Sequence, residues 1–90
     1  MEDATIGNMF LGLSNKYRLD IVNLLKNNDM SVNEIAEKFE VTQATISYHL
    51  KILKESGLVS QRRNKNSIIY SLNKKHIKIL HEWLEELTGR

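Results

Sequence analysis

The stretch SVNEIAEKFEVTQATISYHLKILKESGLV, residues 31–59, decides the fold because it holds the start and end signals of two consecutive helices. Ser31 and Glu34 form a capping box, in which each side chain hydrogen-bonds the backbone N–H of the other residue. Met30 and Ile35 stand at the positions of a hydrophobic staple around the same cap. The pattern predicts a short helix that begins just after Ser31.

A second helix is predicted immediately afterwards. Thr42 stands at its N-cap, and residues 56–57, Ser-Gly, end it, because glycine readily takes the conformation that closes a helix. Ile46, Leu50 and Leu53 recur at helical spacing along one side. Two short helices joined by a tight turn are typical of the helix-turn-helix motif, whose second helix enters the DNA major groove.

Extended chain is expected after this motif. Residues 58–61 and 68–72 are rich in β-branched and apolar side chains, and they flank the polar stretch 62–67. The pattern predicts a two-stranded hairpin, the wing, with a basic and mobile tip at 62–67. Asn73 is then the expected N-cap of a last helix.

Two further helices are expected before the motif. Residues 5–12 carry one apolar face, and Ser14 is the expected N-cap of a helix over about 15–27. The predicted fold class is mainly α with a small β-hairpin, a winged helix-turn-helix with five helices. We expect one domain, because ninety residues provide one hydrophobic core. The parts of this domain, 1–90, are the helix-turn-helix at about 31–56, the wing at about 58–72, and dimerisation helices at about 5–12 and 74–88.

The composition argues against several other classes of protein. The chain has no cysteine, which excludes disulfides, thiolate metal ligands and thiol nucleophiles. No apolar run approaches the roughly 20 residues of a membrane span, and residues 1–3 are acidic where a signal peptide is basic, so the expected location is the cytoplasm. No nucleophile turn or glycine-rich phosphate loop is found, and the sequence predicts no enzyme.

The positive charge is concentrated in one part of the chain. The formal net charge is only +2, yet the segment 42–75 holds a single acidic residue, Glu55. The basic residues of that segment are Lys51, Lys54, Arg62, Arg63, Lys65, Lys74 and Lys75. A cationic segment of this kind is expected where phosphates are neutralised, and a merely solvated basic face is the alternative.

Four segments of the chain carry a family resemblance. They are LDIVNLL at 19–25, IAE at 35–37, TISYHLKILKESGLV at 45–59 and IYSL at 69–72. Together they resemble the ArsR/SmtB (arsenic-repressor-type) winged-helix regulators over roughly residues 13–73. The resemblance implies a dimeric repressor whose first and last helices form the dimer interface, and whose fourth helix and wing bind DNA.

The sequence departs from the metal-sensing members of that family. Their thiolate site has no counterpart, because cysteine is absent. Their site in the last helix fails as well, since Lys74 stands two residues before His76 and Leu84 three residues after His81. The chain is similar to the metal-independent autorepressors, and no metal or other cofactor is predicted. A site built from His81 and Glu85, joined across a dimer by His76, is the alternative.

The expected DNA contacts lie on the fourth helix and on the wing. Residues near the start of a recognition helix reach base edges first, and a glutamine such as Gln43 can pair with adenine. Wing arginines favour a narrow minor groove. The candidates are Gln43, Thr45, Ser47, Tyr48, His49, Lys51 and Lys54 on the helix, and Arg62, Arg63 and Lys65 on the wing. Solvated surface is the alternative for these residues, and a hydrogen-bonded structural role is the alternative for His49.

The two terminal helices are expected to pair two copies of the chain. A small core plus a wing cannot cover both apolar stripes, and Lys74 and Lys75 lie at the end of the last helix that disfavours cations. Antiparallel packing of two such helices would place opposite charges side by side. The candidate interface residues are Ile6, Met9, Phe10, Leu13, Ile77, Leu80, Trp83, Leu84 and Leu87. An intramolecular core is the alternative for the same side chains.

These observations predict a sequence-specific DNA-binding transcriptional repressor that acts as a homodimer on an inverted-repeat operator. Its expected partners are double-stranded DNA and a second copy of the chain, with no membrane. The alternatives are a metal- or ligand-responsive repressor of the same family and a winged-helix protein-interaction module. An anti-repressor protein and a small-molecule inducer are both open as means of release.

Overall fold

The computed structural model describes residues 2–89, which form five helices and a three-stranded antiparallel sheet. The helices are α1 Glu2–Leu13, α2 Lys16–Leu25, α3 Val32–Lys38, α4 Gln43–Glu55 and α5 Lys74–Leu87. The strands are β1 Met30–Ser31, β2 Val59–Asn64 and β3 Ser67–Leu72. This architecture confirms the predicted winged helix-turn-helix. Met1 and Arg90, which the predicted domain includes, lie outside the described residues.

The caps of the helix-turn-helix are those that the sequence predicts. The Ser31 side chain accepts from the N–H of Glu34 at 3.2 Å, and the N–H of Ser31 donates to the Glu34 carboxylate at 2.9 Å. Thr42 caps α4 by accepting from the N–H of Thr45 at 3.1 Å. Gly57, with φ +87°, follows the end of α4. Both helices of the motif are therefore fixed by local hydrogen bonds as well as by packing.

The start of α2 corrects one prediction. Asn15 and not Ser14 is the N-cap, because the Asn15 side chain accepts from the N–H of Arg18 at 3.2 Å. The Ser14 hydroxyl donates back to the carbonyl of Leu11 at 2.7 Å and so belongs to the end of α1. When two adjacent residues can both cap a helix, the sequence does not decide between them. The geometry of the connection between the two helices does.

The sheet contains a strand that was not predicted. β1 pairs antiparallel with β3, with Met30 opposite Tyr70 and Ser31 opposite Ile69, in the strand order β1-β3-β2. Two residues are too few to show the alternating pattern of a strand, and Ser31 is extended because it is also the cap of α3. This pairing anchors the wing to the start of the helix-turn-helix.

The wing has a shorter tip than the sequence predicts. β2 and β3 pair from Val59 opposite Leu72 as far as Asn64 opposite Ser67, which leaves a two-residue loop at 65–66. Lys65 in this loop has φ +59°. The polar residues 62–64 were predicted to lie in the tip but lie in a strand, because an exposed hairpin needs no apolar side chains to keep its backbone hydrogen bonds.

The core lies around the inner face of α4 and draws on every helix. Its centre is the stripe of Ile46, Leu50 and Leu53, which are completely buried. The remaining buried apolar residues are Ile6, Met9, Ile21, Leu25, Ile35, Leu58, Val59 and Leu80. Since this stripe faces inward along its whole length, the opposite face of α4 is presented to solvent.

Candidate DNA-binding surface

The outer face of α4 is polar, cationic and open to solvent. Gln43, Ser47, Tyr48, Lys51 and Lys54 are all exposed, and 60% of Tyr48 remains accessible. Tyr48 and Lys51 lie on the face opposite the buried stripe, as the helical period requires, Ser47 and Lys54 lie on its flank, and Gln43 is exposed at the first turn of the helix. A rigid capped helix therefore displays an amide, a hydroxyl and a phenol, together with two ammonium groups. These groups can hydrogen-bond base edges and neutralise phosphates.

Thr45 is less available than the other helix candidates. It is half-buried, and its hydroxyl lies 3.1 Å from the hydroxyl of the cap residue Thr42. Its side chain is thus already engaged at the start of α4. The methyl group of a threonine can still contact a thymine methyl without breaking that hydrogen bond.

For His49, the structure favours the hydrogen-bonded structural role that the sequence leaves as the alternative to DNA contact. Its side chain is only 7% exposed, and its Nδ1 lies 3.3 Å from Nη1 of Arg18. Its ring stacks on Tyr17 of α2, with a centroid separation of 5.5 Å. Burial and the nearby Arg18 charge hold the pKa of His49 below its ordinary value. His49 lies on the flank of the buried stripe and is covered by Tyr17 of α2. The spacing of residues along α4 does not predict this contact, because Tyr17 belongs to another helix.

On the wing, Arg62 is held by an acidic residue. Its Nη1 donates to the Asp29 carboxylate at 3.1 Å and lies 3.0 Å from the Ser71 hydroxyl. The hydrogen bond from Arg62, followed by one from Ser71, holds the pKa of Asp29 below its ordinary value. Asp29 precedes β1, so the contact ties the wing to the loop before the helix-turn-helix. The sequence separates the two charges too widely for local pattern to reveal the pair.

The other two wing candidates are arranged differently. Arg63 and Lys65 are exposed, Arg63 opposite Ile68 in the sheet and Lys65 in the loop at the tip. Because side chains alternate along a strand, Arg62 and Arg63 project from opposite faces of the wing. The two arginines that the sequence treats as equivalent therefore have different surroundings.

Residues of α1 and α5 divide between the core and the surface. Ile6, Met9 and Leu80 were predicted at a dimer interface but are at most 8% exposed within the single chain, so they belong to its core. Phe10 and Trp83 pack edge to face with centroids 5.6 Å apart and join the two helices. Leu13, Ile77 and Trp83 are half-buried.

An apolar surface remains on these helices. Its largest exposed members from the predicted list are Phe10, Leu84 and Leu87, at 42%, 44% and 65% exposure. Leu11, at 67%, was missed because it lies off the apolar stripe of α1. Large apolar side chains at adjacent helix ends are the kind of surface that association covers.

A scan against protein-family models matches residues 15–61, more than half of the chain, to the model described as bacterial regulatory protein, arsR family. The chain belongs to the ArsR family. This family consists of transcriptional regulators and not of enzymes, as the sequence predicts. The matched range covers α2, the helix-turn-helix and the first half of β2.

Two curated relatives of this ArsR-family chain are regulators with opposite descriptions. The transcriptional repressor SdpR of Bacillus subtilis is 41% identical over 68 residues, which are 76% of each protein. The transcriptional activator HlyU of Vibrio cholerae is 33% identical over 75 residues, covering 83% of this chain and 69% of HlyU. Sequence similarity thus supports regulation of transcription more firmly than its direction.

Solved structures agree with the fold. The structure of HlyU from Vibrio cholerae matches with a TM-score of 0.78 and 30% identity, covering 98% of this chain and 96% of that one. A homodimeric winged helix-turn-helix DNA-binding domain from Mycobacterium bovis matches with a TM-score of 0.78 and 26% identity, over 93% and 78% of the two chains. That domain is described as a possible ArsR-family transcriptional regulator.

The histidine and acidic side chains that the structure describes, in residues 5–89, include no group of three that could hold a metal ion. His76 directs its Nδ1 at the carbonyl of Gly57, 3.0 Å away, and His81 lies 3.5 Å from the Glu85 carboxylate. Among the same residues, no helix combines the length and apolar character needed to cross a bilayer.

Proposed function

We propose that this ArsR-family chain is a transcriptional repressor that binds an inverted-repeat operator as a homodimer in the cytoplasm. The observation that carries the proposal is the exposed face of α4, where Gln43, Ser47 and Tyr48 lie beside Lys51 and Lys54. This face is what a recognition helix needs in order to read bases and contact phosphates at once. The name of the relative SdpR supports repression as the outcome.

The proposal divides the surface into two kinds of contact. Gln43, Ser47 and Tyr48 contact base edges and set sequence preference, with the methyl of Thr45 beside them. Lys51 and Lys54 contact phosphates next to the same groove. Arg63 and Lys65 of the wing extend the contact to the backbone or to an adjacent minor groove. His49 supports the helix from within and makes no contact with DNA.

Two observations support a homodimer: the exposed apolar side chains of Phe10, Leu84 and Leu87 on α1 and α5, and the homodimeric neighbour from Mycobacterium bovis. A two-fold dimer presents two copies of α4. These copies read half-sites about one helical turn apart, roughly 34 Å, which makes an inverted repeat the expected operator.

Selection of bound duplexes from a random pool tests the proposal. The purified chain is expected to enrich one inverted repeat, and the same repeat with or without added zinc. The variant Gln43→Ala should change the enriched sequence, whereas Lys51→Ala should weaken binding to all sequences alike. If the wild-type chain enriches no sequence over several rounds, or both variants behave identically, the proposal is wrong.

A further inference from the structure

Three helices meet where α1 ends, α2 begins and α4 passes its midpoint. Three side chains occupy this point, Arg18 and Tyr17 of α2 and His49 of α4, and we call them the Arg18 junction. The proposed DNA contacts do not use these residues. They nevertheless lie directly behind the face of α4 that carries Tyr48.

Arg18 bridges α1 and α4 with separate nitrogen atoms. Its Nε donates to the carbonyl of Gly12 at 2.7 Å, and its Nη2 lies 3.4 Å from the carbonyl of Leu11. Its Nη1 donates to Nδ1 of His49 at 3.3 Å. The last carbonyls of a helix lack partners within the helix and favour a cation, so Arg18 satisfies the end of α1 while holding α4. A lysine ammonium cannot span these acceptors, because it lacks the planar fork.

His49 transmits this contact to the DNA-facing side of α4. A guanidinium can only donate, so Nδ1 of His49 accepts and the proton of the neutral ring lies on Nε2. One face of the ring stacks on Tyr17, at an interplanar angle of 23°. Tyr48 packs edge-on against the same ring, with centroids 5.2 Å apart. The histidine thus lies between Arg18 and the exposed phenol of Tyr48.

We infer that Arg18 is a positioning residue for DNA recognition, which holds α4 at a fixed orientation to α1 through His49. The inference rests on the proposed function, in which α1 helps to pair the two copies. A fixed angle between α1 and α4 then sets the separation of the two recognition helices. Loss of the junction is expected to lower affinity for the inverted repeat more than affinity for unrelated DNA, which needs no exact spacing.

The junction is also sensitive to protonation of His49. A protonated ring can no longer accept at Nδ1, and it places a second positive charge beside Arg18. The charged or titratable groups that face the ring are Arg18 and Tyr17 from α2, with Tyr48 beside it on α4. Because burial and Arg18 hold the pKa of His49 below the ordinary 6.5, discrimination is expected to weaken only as the pH falls through that lowered value.

Two substitutions and one control test the inference. Dissociation constants are measured for the selected inverted repeat and for a scrambled duplex, at pH 7.5 and at a series of lower pH values down to about 4.5, with thermal unfolding monitored for each variant. The ratio of interest is the dissociation constant for the scrambled duplex divided by that for the inverted repeat. Arg18→Lys should reduce this ratio roughly tenfold at pH 7.5, in line with the loss of a charged hydrogen bond. His49→Asn keeps an acceptor near the position of Nδ1 but does not titrate. It should retain the ratio at pH 7.5 and show no acid loss. Lys16→Ala, which removes only the exposed ion pair with Asp20 on the same helix, should match the wild type.

The outcomes separate the two proposals. If the wild type shows no preference for any duplex, the proposed function fails. If the wild type discriminates but Arg18→Lys keeps the ratio within twofold, Arg18 does not position α4. The inference also fails if His49→Asn loses discrimination in acid as the wild type does. A purely structural role would lower the melting temperature and reduce binding to both duplexes equally, which would overturn the inference as well.

Discussion

At the scale of single residues, Gly12 is required by close packing and not by its backbone conformation. A Cβ at this position would lie 2.5 Å from the Ser56 hydroxyl and 2.9 Å from a methyl carbon of Leu58. Ser56 is buried and its hydroxyl donates to the carbonyl of Leu53 at 2.8 Å, so it has little room to move. The end of α1 can therefore approach α4 only because no side chain intervenes.

Gly12→Ala is accordingly expected to destabilise the fold by about 1 kcal/mol, because overpacking costs about 1–3 kcal/mol and alanine gains roughly 1 kcal/mol over glycine within a helix. Gly7→Ala is the matched control, because a Cβ there meets nothing within 4 Å and the same helix gains alanine. Urea unfolding measures both. Equal free energies of unfolding for the two variants would show that the contact with Ser56 is not restrictive.

At the scale of elements, local sequence signals predicted the helices, whereas contacts between residues far apart in the chain were not predicted. The capping box of Ser31 and the Thr42 cap are written in residues three apart, and both predictions were confirmed. The strand β1 was missed because its partner in β3 lies far along the chain. The same reason explains the surface. The helical period predicts which side of α4 is exposed. It does not predict the burial of His49, because that burial depends on a contact with α2.

The ion pair between Arg62 and Asp29 leads us to expect different contributions to DNA binding from the two wing arginines. Asp29 already compensates the charge of Arg62 at 3.1 Å, whereas Arg63 projects from the opposite face of the strand. We expect Arg63→Ala to weaken DNA binding and to reduce the slope of log affinity against log salt by about 1. Arg62→Ala should change this slope less. Titrations across a salt series compare the two, and equal slopes would contradict the difference.

Asp29 supplies the complementary prediction. Its pKa lies below the ordinary 3.8, so the carboxylate is ionised and holds Arg62 throughout the neutral range. A lowered pKa stabilises the fold above pH 3.8, and this contribution is lost as the pH falls through the lowered value. Asp29→Asn should free Arg62 for phosphates and make the salt slope steeper at pH 7. In the double variant Asp29→Asn, Arg62→Ala this gain should disappear, and a gain that persists would show that Arg62 is not its source.

At the scale of the whole molecule, the proposed dimer has the exposed apolar side chains of α1 and α5 available to it. The core of the single chain accounts for Ile6, Met9 and Leu80, so the proposed interface uses side chains outside it, chiefly Phe10 and Leu84. The apolar surface left exposed is smaller than the sequence predicts, because part of the apolar stripe of α1 and of α5 packs inside the single chain. A charge placed in this reduced surface has correspondingly few other contacts to offset it.

Leu84→Glu is therefore expected to separate the two copies, and the dissociation constant of the dimer should rise roughly 100-fold or more, since two-fold pairing buries the new charge twice. Leu19→Glu is the matched control. Leu19 is exposed to a similar extent, 46% against 44%, but lies on α2, which is not one of the two helices of the proposed interface. Sedimentation at micromolar concentration should give the monomer mass for Leu84→Glu and the dimer mass for Leu19→Glu.

The monomeric variant should also lose its preference for the inverted repeat while a single half-site is still bound weakly, because each copy keeps its own α4. A dimer that persists with Leu84→Glu, or dissociates only with Leu19→Glu, would move the interface away from α5 and require a different spacing of the two recognition helices.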